Sequence, residues 1–224
     1  MVTLEQFRYC PTHSTHPPFC YDFHYVKPGM VAIFGDNGSG KSTLAQLMAG
    51  WYPDFLPGEI TGTGTLLGTP IGRLPLNEQS ATIQLVQQSP YLQLSGCTFS
   101  VEEEVALGQK ICVLLKKRLW RGLTPPGPDR VPAVAPSSPG NTLGGETQRV
   151  VIACAIAMRP KLLILDEAFS RLTPQAREML LQRLQHWALE RGSLIILFER
   201  HHTPFLNHCQ QAWQLQNGAL QPLC

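Results

Sequence analysis

The chain alternates short apolar runs with segments whose apolar residues recur every three or four positions. Leu4 to Tyr9 reads as a short strand, and the Pro-, His- and Thr-rich stretch after it as a loop. Phe19 to Val26 places Phe, Tyr, Phe, Tyr and Val at close spacing and predicts a second strand, ended by Lys27-Pro28-Gly29. Met30 to Phe34 is uninterrupted apolar sequence, as in a strand covered on both faces of a sheet. From Lys41 to Ala49 the spacing of Leu44, Leu47 and Met48 is helical, with Gly50 placed to end the helix. Residues 81–87 and 161–165 predict further strands, and Ser193 to Phe198 another buried one. Residues 101–120 read as an amphipathic helix opening on Glu102-Glu103-Glu104, where the helix dipole favours acids. Gln148 to Met158 and residues 174–190 predict two more helices. Strands alternating with helices imply an α/β fold with a mostly parallel sheet. Residues 122–141 carry six prolines and admit no continuous helix, so they form a loop on an insert or a connection.

Composition narrows the functional classes. A chain of 224 residues suits one domain, or a core with one small insert. Eighteen basic against 16 acidic residues leave a formal charge of +2 with no like-charge run, which argues against a nucleic-acid partner. Only 15% of the residues are charged, which points to a surface partly covered by other subunits. No apolar run approaches the ~18 residues of a membrane span, and Met1 to Gln6 has neither the basic start nor the apolar stretch of a secretory signal. Seven scattered cysteines without a C-x-x-C read as reduced thiols. Cys10, His13, His16 and Cys20 have spacings that a zinc site could use, but Pro17 and Pro18 interrupt them and no second knuckle follows. They read as an ordinary loop.

One motif carries specific chemistry. Gly35-Asp36-Asn37-Gly38-Ser39-Gly40-Lys41-Ser42 fits G-x-x-x-x-G-K-[ST], between a predicted buried strand and a predicted helix. Its glycines let successive backbone N–H groups turn toward phosphates, and the positive end of the helix adds to that field. Lys41 is expected on the β- and γ-phosphates, and Ser42 on Mg²⁺. The strand through Leu165 ends in Asp166-Glu167: an aspartate placed to hold the metal, then a glutamate placed to polarise an attacking water.

With these residues in view, the chain resembles the ATPase subunit of an ABC transporter over nearly its whole length. Leu143-Gly144-Gly145-Glu146-Thr147-Gln148-Arg149, about twenty residues before the magnesium aspartate, resembles the family signature L-S-G-G-Q/E-x-Q-R. Phe7-Arg8-Tyr9, Pro57-Gly58-Glu59-Ile60, and Gln88-Ser89-Pro90 followed by Val101-Glu102-Glu103-Glu104-Val105 resemble the energy-coupling-factor importers. The resemblance implies a P-loop NTPase with a short antiparallel β part and a helical insert, in one domain over 1–224. Residues 1–87 and 148–224 would form the core, and 88–147 the insert, with the signature at 142–149. It implies ATP and Mg²⁺ as cofactors, Tyr9 stacked on adenine, and nucleotide contacts from the P-loop through Thr43. Gly144, Gly145 and Glu146 would contact the nucleotide of a partner domain. Ser42, Gln88 and Asp166 would hold the metal, with Glu167, Gln88 and a histidine as catalytic groups. Tyr9 has a second reading, as a core aromatic of its strand, and Gln87 competes with Gln88. Counting from Glu167 puts Glu199 near the histidine position; a short shift makes it His201, with His202 beside it.

Two departures bear on assembly. Leu143 stands where the signature serine belongs and cannot hydrogen-bond a phosphate, and Thr173 replaces a usual aspartate. Both positions act on the partner's nucleotide, so a different, related ATPase is expected as partner rather than a second copy. An integral membrane subunit on the cytoplasmic face is implied as well, with Tyr91, Leu92 and Leu94 as candidate contacts. The function implied is ATP hydrolysis powering import by dimer closure; the alternative is a partly degenerate subunit that binds ATP and regulates an active one.

Overall fold

Three apolar runs of the chain, Met30–Phe34, Leu162–Leu165 and Leu194–Phe198, lie side by side as parallel strands and are buried throughout, because side chains pack against both of their faces. The structure, a computed structural model, describes residues 1–13, 17–98, 100–107 and 144–223. His16, residues 108–120 of the expected insert helix, the Pro-rich 122–141, Thr142 and Leu143 lie outside the described residues. Among the described residues ten strands form one sheet: β1 (Val2–Pro11), β2 (Phe19–Tyr25), β3 (Gly29–Phe34), β4 (Gly58–Leu66), β5 (Thr69–Pro70), β6 (Ile83–Val86), β7 (Leu162–Asp166), β8 (Leu194–Glu199), β9 (Gln211–Gln216) and β10 (Ala219–Leu223). Their order is β5-β4-β1-β2-β10-β9-β3-β8-β7-β6. The run β9-β3-β8-β7-β6 is parallel, whereas β5-β4-β1-β2 and the β9–β10 pair are antiparallel. The helices are α1 (Lys41–Met48), α2 (Leu76–Gln79), α3 (described over 101–107), α4 (Gly144–Ala157) and α5 (Pro174–Arg191).

The period of two in the parallel strands divides the core cleanly. Val31, Ile33, Leu162, Ile164, Leu194, Ile196 and Phe198 face α1 and the antiparallel strands. Met30, Ala32, Phe34, Leu163, Leu165, Ile195 and Leu197 face α4 and α5. This is the α/β arrangement expected from the apolar runs, with a more extensive antiparallel part. The unpredicted β4 carries three glycines and is half-exposed, so its apolar pattern is weak. Antiparallel β1 also bends: pairing shifts between Leu4 and Phe7, where Gln6 adopts a left-handed φ of 46° and its N–H donates to Asp22 Oδ1 at 2.7 Å.

The helix expected from Gln148 begins four residues earlier, at Gly144, with Gly145 lying close against the Arg171 backbone. A Cβ on Gly145 would stand 2.8 Å from the carbonyl oxygen of Arg171. The start of α5 explains one departure noted above. Thr173 is its N-cap, accepting from Ala176 N–H at 3.3 Å with Pro174 in the first turn, so threonine here has a local structural use. Among the described residues no helix is long and apolar enough to cross a membrane.

Ile164 sits fully buried at the middle of β7. Ile164→Ala is expected to lower unfolding free energy by about 2–5 kcal/mol in urea titration. Leu189→Ala, on the exposed side of α5, is expected to stay within about 0.5 kcal/mol of the parent.

Candidate nucleotide site

The register of the parallel strands decides where chemistry gathers. Phe34 pairs with Glu199, Asp166 with Phe198, and Val86 with Leu165, so β3, β8, β7 and β6 end nearly level. Open α/β sheets bind ligands at this carboxyl edge. The residues that continue from those ends are the P-loop, Asp166-Glu167, Glu199-Arg200 and Gln87-Gln88.

The P-loop leaves β3 with Gly35 N–H bound to Glu199 O at 3.2 Å. Gly38 (φ 77°) and Gly40 (φ 101°) take left-handed conformations that other residues rarely adopt, and Gly40 caps α1. Asp36 and Asn37 are exposed, Ser39 is half-buried with its hydroxyl unpartnered, and Ser42 and Thr43 open α1. Lys41 is buried, and its Nζ donates to Gly35 O at 2.7 Å and Asp36 O at 3.0 Å. Its ammonium also lies 3.6 Å from Glu167 Oε1.

Asp166, buried at the tip of β7, tests the expected metal site. Burial raises its carboxyl above the ordinary range and Glu167 raises it further, while the Ser42 hydroxyl and Lys41 oppose both. Its Oδ1 has no hydrogen-bond partner. A buried, unpartnered carboxylate oxygen beside a serine hydroxyl suits a hard cation such as Mg²⁺. Glu167 stands in a left-handed conformation (φ 48°), its N–H bound to Phe198 O at 2.8 Å. Gln88 Nε2 donates to Glu167 Oε2 at 3.0 Å, whereas Gln87 is engaged through its backbone N–H with Gln93 Oε1. The structure therefore brings Lys41, Ser42, Gln88, Asp166 and Glu167 together, and the amide that reaches Glu167 is that of Gln88.

Two expected residues are not brought in. Tyr9 is fully buried: its hydroxyl donates to Pro57 O at 3.0 Å and its ring meets Tyr52 edge-on at 6.4 Å. With both faces in the core, it has none for a base. The aromatic against the P-loop is Phe19, stacked on Tyr21 at 6.0 Å and so near that a Cβ on Gly40 would stand 2.6 Å from its ring. Nothing in the sequence marks Phe19 for this place, because it opens a strand that reads as core. His201 is exposed, with no hydrogen bond to a site residue among the described residues, and His202 packs on Phe34 at 4.7 Å and donates to Gln214 Oε1. The neighbouring Arg200 is the residue that reaches Glu167: its Nε donates to Glu167 Oε1 at 3.2 Å and Oε2 at 3.1 Å.

Gly144, Gly145 and Glu146 form the first turn of α4, with Glu146 4.0 Å from Arg149. Of the proposed docking residues, Tyr91 and Leu92 are exposed and Leu94 packs into the core. Cys10, His13 and Cys20 belong to no cluster of metal-ligating side chains among the described residues.

Glu199 is buried, with Oε1 unpartnered. Burial pushes its carboxyl up to about 8, aided by Glu167 and Asp166 and opposed by the Phe169 N–H and Arg177. A raised carboxyl stabilises the fold fully below the unfolded value near 4.5, and that stabilisation is lost as pH rises toward 8. Without nucleotide or metal, the urea stability of the parent should therefore fall between pH 5 and 8. Glu199→Gln, which keeps the shape of the protonated acid, should flatten that fall and gain on the order of 2 kcal/mol above pH 8.

A family model described as ABC transporter matches residues 22–170. The chain is 40% identical over 155 residues to an energy-coupling factor transporter ATP-binding protein of Levilactobacillus brevis, covering 67% of this chain and 52% of that protein. It is 32% identical over 204 residues to the corresponding Streptococcus thermophilus protein, covering 85% and 67%. It also spans 63% of a Pyrococcus horikoshii protein described provisionally as an ABC transporter ATP-binding protein, at 35% identity and 80% coverage of this chain. The chain thus spans about half to two thirds of these relatives' lengths. Two solved structures share its fold. One is cbiO1 of Clostridium perfringens, part of the ABC transporter complex cbiONQ, with TM-score 0.71, 23% identity, and 98% and 86% of the two chains covered. The other is a bacterial ABC transporter cassette solved as a dimer, with TM-score 0.74, 19% identity, and 98% and 96% covered. With the P-loop, Asp166 and Glu167 gathered at one end of a sheet of this architecture, and the family model matched over residues 22–170, the chain belongs to the ABC transporter family.

Proposed function

We propose that this chain binds ATP with Mg²⁺ and hydrolyses it as the motor subunit of an importer of the energy-coupling-factor kind. The observation that carries the reading is the meeting of Lys41, Gln88, Asp166 and Glu167 at one sheet edge. Residues 1–224 act as one ATPase domain. Gly35 to Thr43 wrap the phosphates, Lys41 holds the terminal pair, and Phe19, in place of Tyr9, offers its ring to the base. Asp166, Ser42 and Gln88 hold Mg²⁺, which when bound offsets charge on the phosphate oxygens. Glu167 takes the proton of a water that attacks the γ-phosphorus in line; the bond to the bridging oxygen breaks, leaving ADP and inorganic phosphate.

The assembly reading follows the family. The relatives named above carry an energy-coupling or transport description, and one structural neighbour is a dimer. In this reading Gly144, Gly145 and Glu146 close over a partner's nucleotide, and Leu143 favours a different ATPase as that partner. The exposed Tyr91 and Leu92, three and four residues beyond Gln88, would meet an integral membrane subunit at the cytoplasmic face. Movement at Gln88 on closure would then reach the membrane through one short 3-10 turn, Pro90–Gln93.

The test is ATP turnover by the chain alone and with a second ATPase subunit, alongside nucleotide binding. Glu167→Gln is expected to lower kcat at least 100-fold while ATP affinity stays within about threefold. Lys41→Ala is expected to lose ATP binding itself, measured by calorimetry. Turnover that survives Glu167→Gln would remove the base assignment. Binding without turnover under every pairing would favour a regulatory subunit.

A further inference from the structure

Glu167 is held by more donors than a proton acceptor can spare. Its carboxylate receives Arg200 Nε on both oxygens, at 3.2 and 3.1 Å, and Gln88 Nε2 on Oε2 at 3.0 Å. Lys41 Nζ stands 3.6 Å from Oε1. An ionised carboxylate offers about four acceptor directions, and these donors take most of them from three different parts of the chain. The glutamate is buried and its backbone is anchored to Phe198, so it cannot easily turn away from them. For a water proton to reach it, a donor must leave.

The three donors differ in their freedom. Lys41 is buried and tied to two P-loop carbonyls. Gln88 is neutral and makes a single bond to the carboxylate. Arg200 is charged, its side chain is 41% exposed, and it lies just past the end of β8. It grips Glu167 through Nε, and its terminal NH₂ groups have no hydrogen bond among the described residues. A guanidinium in that position can exchange a carboxylate for a phosphate, which offers it more charge and a matching fork of oxygens.

We propose that Arg200 is a positioning residue that pins Glu167 and is drawn off it by the terminal phosphate of ATP, so that Glu167 becomes available as a base only when that phosphate is present. This rests on the reading of the site as an ATPase site. It gives one residue two linked effects: ATP is preferred over ADP, and the base stays engaged when no γ-phosphate is there to be attacked. Arg200 and Lys41 are also the cations that contact Glu167 in an acidic neighbourhood that includes Asp166 and Glu199, so removing Arg200 shifts the local balance sharply.

The test uses the full chain with Mg²⁺ and compares binding of a non-hydrolysable ATP analogue with binding of ADP by titration calorimetry. Arg200→Ala is expected to weaken the analogue about tenfold and leave ADP within twofold, with Arg200→Lys recovering part of the loss. Glu167→Gln, which weakens the competing pair, is expected to tighten the analogue about threefold in the parent and not at all in the Arg200→Ala background. Equal losses for analogue and ADP, or a Glu167→Gln gain that persists without Arg200, would make the pair purely structural and overturn the proposal. A parent chain that binds neither nucleotide would overturn the ATPase reading instead.

Discussion

The site depends on a hydrogen-bond register. Parallel pairing holds Phe34 against Glu199 and Asp166 against Phe198, which levels the ends of three strands and delivers the P-loop, the two adjacent carboxylates and Arg200 to one place. A slip of one residue would exchange the side chains that fill the two core halves, spoiling their packing as well as moving the site. The two-sided core therefore guards the catalytic geometry. Residues such as Ile164 and Leu197, far from any phosphate, hold it by making every alternative register costly.

Charge is the second constraint. Asp166, Glu167 and Glu199 crowd the edge, and burial with mutual repulsion raises two of them. Lys41 and Arg200 both answer that crowding at the Glu167 carboxylate. The arrangement suits a polyphosphate and a divalent cation, because each redistributes the same few charges: the phosphates draw on the cations and the metal draws on Asp166. A site in this condition is poised for exchange of partners rather than for maximal stability.

Departures from the family pattern separate into two kinds. Thr173 has a local reason, since a threonine N-cap followed by proline starts α5. Arg200 differs in kind, since it brings a permanent charge whose Nε–H is shared between the two oxygens of Glu167. Tyr9 belongs to neither kind. It matches the motif, yet the antiparallel strands fold it beneath Pro57 and Tyr52, leaving Phe19 as the ring at the P-loop.

Short-range chemistry was legible in the residues alone. The phosphate loop, the Asp166-Glu167 tip and the runs Met30–Phe34 and Leu162–Leu165 announce themselves, because backbone freedom, charge and burial on two faces are each written in consecutive positions. The glycine-rich, half-exposed β4 was not legible, since its pattern is weak on its own and is completed by β1 alongside it. That the Gln88 amide reaches Glu167, that Phe19 lies against the P-loop while Tyr9 is buried, and that Arg200 bonds Glu167 also lay beyond the sequence. Each distinguishes residues of similar chemistry, which only strand register and the direction of a side chain separate. Those are properties of the packed sheet, decided by residues distant in the chain.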